Sequence, residues 1–148
     1  MRKIRKEVFE TNSSSVHSLV ISNDGLEKSN LKLNKEGKIE ITFGSFGKDF
    51  NIYSSQYDKL SYLITLLYYI SNGFNYESIY DNYEFKLVEE AICEYTGAKG
   101  IKILTKYKPE IDHQSQPYYG IEIVNVYNKD EIINFVFNKY ISLKTDCD

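Results

Sequence analysis

The sequence predicts an α+β fold, a single compact domain over residues 1–148 with a mixed or antiparallel sheet packed against two to three helices. Three observations predict it. Short alternating apolar–polar runs open the chain, two segments with helical apolar spacing occupy its middle, and strand-like runs return afterwards with one more helix. That order is neither a strict βαβ repeat nor all-β. At 148 residues the length suits one domain, and a chain of this size buries about 70% of its unfolded surface, so no staples are needed.

Taken in order, residues 2–9 read as a strand in which Ile4, Val8 and Phe9 interleave with charges. Glu10–Ser15 interrupts it with residues that favour side chain-to-backbone hydrogen bonds. Val16–Ser22 is a second strand, with His17, Leu19 and Ile21 alternating onto one face. Asn23-Asp24-Gly25 is a turn. Leu31–Leu33 and Lys38–Phe43 flank Asn34-Lys35-Glu36-Gly37 as a hairpin, and Phe43-Gly44-Ser45-Phe46-Gly47 begins an irregular loop reaching Tyr53.

The first helix is announced by Ser55 with Asp58 three residues on, a capping-box-like start. Leu60, Leu63, Ile64 and Leu67 follow on one stripe and Gly73 closes it. A second helix covers Glu84–Thr96, with Phe85, Val88, Ile92 and Tyr95 on its stripe and Gly97 after it. Ile101–Lys106 and Tyr119–Tyr127 read as strands on either side of a loop. Asn128 with Glu131 caps a short helix over Glu131–Asn138, and Tyr140–Lys144 is a final strand before the tail Thr145-Asp146-Cys147-Asp148.

Composition narrows the function classes. The chain has a net charge of −3 and 42% hydrophobic residues, which argues against both wholesale disorder and a whole-molecule attraction to nucleic acid. Arg2, Lys3, Arg5 and Lys6 are a local basic cluster with no apolar run behind them, so they do not read as a signal peptide. No stretch approaches the roughly 20 apolar residues of a membrane span. Cys93 and Cys147 make no disulfide framework, and reduced thiols in a cytoplasmic compartment, a bacterial host cell, are the simpler expectation. The 14 tyrosines accompany abundant Lys, Asn and Ile, and most fall at positions expected to face the core.

Three polar clusters could carry chemistry. Thr11, Asn12, Ser13, Ser14 and Ser15, followed by His17 and Ser18, concentrate hydroxyls and turn N–H groups suited to phosphate or carboxylate oxygens. Serine beside histidine also has the makings of a nucleophile and base, although a polar turn with a histidine packed at a core edge is the plainer account. Asp112 and His113 lie in a loop pinned by Pro109 and Pro117, where an aspartate can orient an imidazole or ligate a metal. Asp146 and Asp148 offer carboxylates for a divalent cation, or form an acidic tail. The chain's two histidines both sit in these clusters. His17, His113 and Asp112, with Asp146 or Asp148, would suit a divalent metal or an acid–base pair acting on a phosphoester or glycosidic bond. There is no phosphate loop, nucleophile elbow or dinucleotide fingerprint.

Phe9-Glu10-Thr11-Asn12-Ser13-Ser14-Ser15-Val16-His17-Ser18 resembles the opening of a group of proteins from phages and low-GC Gram-positive bacteria to which no activity is attached. The resemblance continues through Ile41–Gly47 and Lys59–Tyr62, and resumes at Ile111–Ser115 and Thr145–Asp148. Lys48 stands where a tryptophan is expected after the Phe-Gly pair, which removes an aromatic from that position. The resemblance implies a phage or mobile-element context and no reaction. Two functions are expected on this basis. One is a polar His/Asp/Ser site that binds or processes a nucleotide or nucleic acid, with a divalent metal as the cofactor it would accommodate. The other is a non-catalytic protein that inhibits a bacterial defence system, in the manner of an anti-CRISPR, by covering a host or phage protein partner. A contiguous acidic or aromatic surface away from the polar clusters would favour the second.

Overall fold

The structure is a computed structural model that describes residues 6–7, 15–21, 25–47, 51–70, 76–111 and 124–147. It is organised around helix α1, Gln56–Ile70. Ser55 Oγ accepts from the Asp58 N–H at 3.0 Å, starting the helix where its cap residue predicts. The apolar stripe accounts for only part of its burial. Every residue from Lys59 to Leu67 is buried, including Ser61, Tyr62 and Thr65. The reason is topological: α1 packs against strands, both other helices and the 3₁₀ turn Tyr76–Asp81, so neighbours cover it on all sides. Burying leucines such as Leu63 contributes about 2 kcal/mol each before conformational costs.

The polar groups on α1 are used to hold the loops around it. Gln56 donates to Lys28 O at 2.9 Å and accepts from Asn30 N at 2.8 Å. Ser61 donates to Thr42 O at 2.7 Å. Thr65 donates to Ser61 O at 2.8 Å and accepts from Gly44 N at 3.0 Å. These bonds satisfy groups that would otherwise be costly to bury.

Among the described residues eight strands form three sheets. β1 (Lys6–Glu7), β2 (Ser15–Ile21), β8 (Leu143–Cys147) and β5 (Asn51–Tyr53) form an antiparallel sheet in the order β1-β2-β8-β5. β3 (Lys38–Thr42) pairs in parallel with β6 (Gly100–Leu104), and β4 (Ser45–Phe46) pairs in parallel with β7 (Glu110–Ile111). Ile39, Ile41, Ile101 and Ile103 point from the β3–β6 pair into the core, while Glu40 and Lys102 face outward. The expected α+β class holds; the four-stranded sheet is antiparallel, and the two-stranded sheets are parallel pairs made by a crossover through the helices.

Helix α2, Tyr83–Thr96, starts at Asn82, whose side chain accepts from Phe85 N. It ends at Gly97, whose φ of 81° is the left-handed conformation that glycine adopts without penalty. Its buried stripe is Phe85, Val88, Ala91 and Ile92. Tyr95 lies at the edge and stacks on Phe137 at 4.4 Å. Helix α3, Lys129–Phe137, is capped by Asn128, which accepts from Glu131 N at 3.2 Å.

Several expectations need correction. Leu31–Leu33 is not a strand; Leu33 makes one bridge to Ile39, although the Asn34–Gly37 turn forms as read, with Asn34 Oδ1 accepting from Glu36 N and Lys38 N. The 43–53 loop contains β4 and β5. Residues 119–123 of the expected strand Tyr119–Tyr127 lie outside the described residues, and 124–127 form a turn. Asn125 bends the chain there by accepting from Tyr127 N at 3.0 Å and Asn128 N at 3.0 Å. The last strand begins at Leu143 rather than Tyr140, because Asn138 ties off a turn through Tyr140 N and Ile141 N. Thr145 is therefore a fully buried strand residue and not part of a tail. Among the described residues the tyrosines are also mostly not in the core. Tyr62 is buried, but Tyr57, Tyr80, Tyr83, Tyr95, Tyr107, Tyr127 and Tyr140 are exposed, because the phenol can reach water from the end of an apolar ring.

Candidate functional site

Two places bear on function, and the first is the seam between β2 and β8. Its register sets Ser15 opposite Cys147, Val16 opposite Asp146, His17 opposite Thr145 and Leu19 opposite Leu143. The chain at the hydroxyl–histidine segment therefore runs beside the chain at the C-terminal aspartates, two segments separated by most of the sequence. Directly opposed positions share a face of the ladder and successive ones alternate. Position 17 thus falls on the face of Thr145 and Leu143, both fully buried, while position 146 falls on the other face with Lys144. Thr11, Asn12, Ser13, Ser14, Asp112, His113 and Asp148 lie outside the described residues. Among the described residues no group of three His, Cys, Asp or Glu side chains is placed to hold a metal ion.

The second place is the surface where α2 meets the start of α3. Tyr83, 63% exposed, and Tyr127, 59% exposed, lie with ring centroids 6.5 Å apart. The Tyr127 hydroxyl donates to Glu84 at 2.9 Å, and that bond to a carboxylate raises the phenol's pKa above its ordinary value. Two residues after Tyr127, Lys129 donates to Glu94 at 2.6 Å. Glu94 raises the ammonium's pKa first through this bond, with Glu90 and Asp130 acting in the same direction through space. Glu84 stands at the start of α2, while Glu94 lies about three turns further along with Glu90 one turn before it, so the ring pair and the Lys129–Glu94 pair are two points along the same helix. Sequence reasoning passed over these residues. The signal was present in the acidic positions beside the Phe85–Val88–Ile92 stripe, but their junction with Tyr127 and Lys129 depends on how the helices pack.

In the first turn of α1, Lys59 is buried to 1% exposure. Its ammonium donates to Asn138 O at 3.0 Å and Ile141 O at 2.9 Å. Burial lowers its pKa from 10.5 to about 8, opposed by the nearby charge of Glu27. Lys59 ties the turn between α3 and β8 to α1, which sets where β8 meets β2. Cys93, a free thiol on α2, has its pKa raised by burial and then by Glu89.

No helix among the described residues is long and apolar enough to cross a membrane. Comparison with protein families, curated proteins and solved structures finds no match to this chain.

Proposed function

We propose that this chain is a non-catalytic interaction protein of a phage or mobile element, which inhibits a bacterial defence system by docking on a basic surface of a host protein. The exposed Tyr83–Tyr127 pair with Glu84 beside it carries the reading, with Glu90 and Glu94 further along the same helix. Exposed tyrosines lose little side-chain freedom on burial and are favoured as anchors at interfaces. Carboxylates around them steer a cationic partner and set its orientation. The surface stands on two helices fixed by the core, so it is preorganised.

The test is phage plating on host strains that each carry one defence system, with and without expression of the protein. Restored plating in one strain, lost in Tyr83→Ala/Tyr127→Ala and in Glu84→Lys/Glu94→Lys but kept in His17→Ala, is the expected result. Plating restored equally by the surface variants would remove this surface from the function.

A second reading starts from the β2–β8 register, which runs Ser15–His17 alongside Thr145–Cys147 and so brings the two chain segments together, with positions 17 and 146 on opposite faces of the ladder. Here Thr11 to Ser15 hold the phosphate oxygens of a nucleotide or nucleic acid, His17 and His113 act as acid and base, and Asp112 orients an imidazole. Asp146 and Asp148 take a divalent metal. Thermal shift against nucleotides and divalent cations checks it, because a ligand that binds the folded state raises the melting temperature. A shift lost in His17→Ala and His113→Ala supports this reading, and a flat panel removes it.

A further inference from the structure

Beside the first turn of α1 lies a cleft of about 440 Å³, within the size range of small-ligand sites. It is built on hydrogen-bonded backbone. Thr42 O accepts from Ser61 at 2.7 Å, Gly44 N donates to Thr65 at 3.0 Å, and Gly44 O accepts from Glu110 N at 3.0 Å. The Phe46 ring closes its base, so near Gly44 that a Cβ there would meet the ring at 2.6 Å. Phe46 is held edge-on by Tyr53 at 5.1 Å and Tyr62 at 5.2 Å.

The walls are Tyr53, Tyr57 and Tyr107. Tyr57 is fixed because its hydroxyl accepts from Thr42 N at 3.1 Å and lies 3.0 Å from the Thr42 hydroxyl. Tyr107 is 61% exposed. Asp58 and Glu110 supply carboxylates to the same cleft, and Lys108 adds one cation. Ser55, not Asp58, provides the helix-cap oxygen, and among the described residues the Asp58 carboxylate accepts no hydrogen bond.

We infer that the cleft is a subsite for an organic cation, a guanidinium or substituted ammonium such as an arginine side chain presented by a peptide. Tyrosine faces attract a cation through the ring quadrupole, and a carboxylate beside them pairs with a guanidinium through charge-assisted bonds. The cleft is much larger than a bare metal ion requires, and it contains no histidine or cysteine. Lys108 opposes a cation, which makes the sign of the ligand's charge testable. The cleft shares no residue with the α2–α3 surface, so it stands or falls separately from the proposed docking face.

The full chain is titrated by calorimetry with N-acetyl-arginine methylamide and with its neutral isostere N-acetyl-citrulline methylamide. The arginine compound should bind about tenfold or more tightly than the citrulline one, the value of one charge-assisted pair. Asp58→Asn should weaken it about tenfold and Tyr107→Ala about threefold, while Lys108→Gln strengthens it about threefold. Glu94→Lys, on the other surface, should change nothing. All four side chains are exposed, and an unchanged melting temperature confirms folding of each variant. Equal affinity for the two compounds, or no saturable binding by either, overturns the inference. So does Lys108→Gln weakening binding while inorganic phosphate binds the unaltered chain, an outcome that would make the cleft an anion site.

Discussion

Lys59→Met separates the cost of burying a charge from the benefit of its hydrogen bonds. In the folded protein the Lys59 pKa falls from 10.5 to about 8. A depressed folded-state pKa contributes stability that is present above the unfolded value and lost as pH falls through the folded value. Below about pH 8 both states are protonated, and the fold bears the full cost of the buried ammonium. As pH rises, the folded lysine releases its proton first and stability increases. From about pH 7 to about pH 9.5 the gain is about 2 kcal/mol, approaching about 3 kcal/mol above the unfolded pKa.

Four groups among the described residues oppose this gain. Burial raises the pKa values of Tyr62 and Cys93, and hydrogen bonds to carboxylates raise those of Tyr127 and Lys129, so the unfolded chain loses those protons first and stability falls at high pH. Lys59→Met retains all four groups. Subtracting the pH profiles of the two proteins therefore isolates Lys59. Methionine is close in shape but leaves Asn138 O and Ile141 O without this donor. Urea unfolding followed by circular dichroism at the two pH values is the measurement, and Lys59→Met should be penalised about 2 kcal/mol more at the higher pH. Parallel profiles, or a penalty that shrinks with pH, would refute a buried lysine with a depressed pKa.

Gly44→Ala should destabilise the protein by about 1–3 kcal/mol, measured by urea unfolding, because its Cβ would meet the Phe46 ring at 2.6 Å. Gly97→Ala meets no atom within 4 Å, so its cost should be only the left-handed backbone, about 1 kcal/mol, seen as a lower urea midpoint with an unchanged slope. In a Cys147→Ser background, Cys93 should react with iodoacetamide more slowly than a free thiol at neutral pH, since burial and Glu89 hold it protonated; a rate at or above the free thiol's would contradict this.

The helices were legible in the sequence because their signals are local. Ser55 and Asn128 cap within three residues, and Gly97 ends α2 with its own backbone conformation. The Phe85–Val88–Ile92 stripe fixed which side of α2 turns inward. Strands were less legible because pairing depends on a distant partner. Thr145 reads as tail by position, yet becomes strand because β2 lies opposite it. The Leu31–Leu33 run reads as strand by composition but meets β3 through one bridge.

By itself the sequence determined the α+β class, the starts of α1 and α3 and the end of α2, all properties set within a few residues. The tertiary structure decided the burial of α1 all round from Lys59 to Leu67 and the employment of Lys59, Ser61 and Thr65 as tethers. It also decided which tyrosines reach the surface and which carboxylates join them. Those outcomes depend on neighbours tens of residues away, and burial is settled by what covers a side chain rather than by its own chemistry.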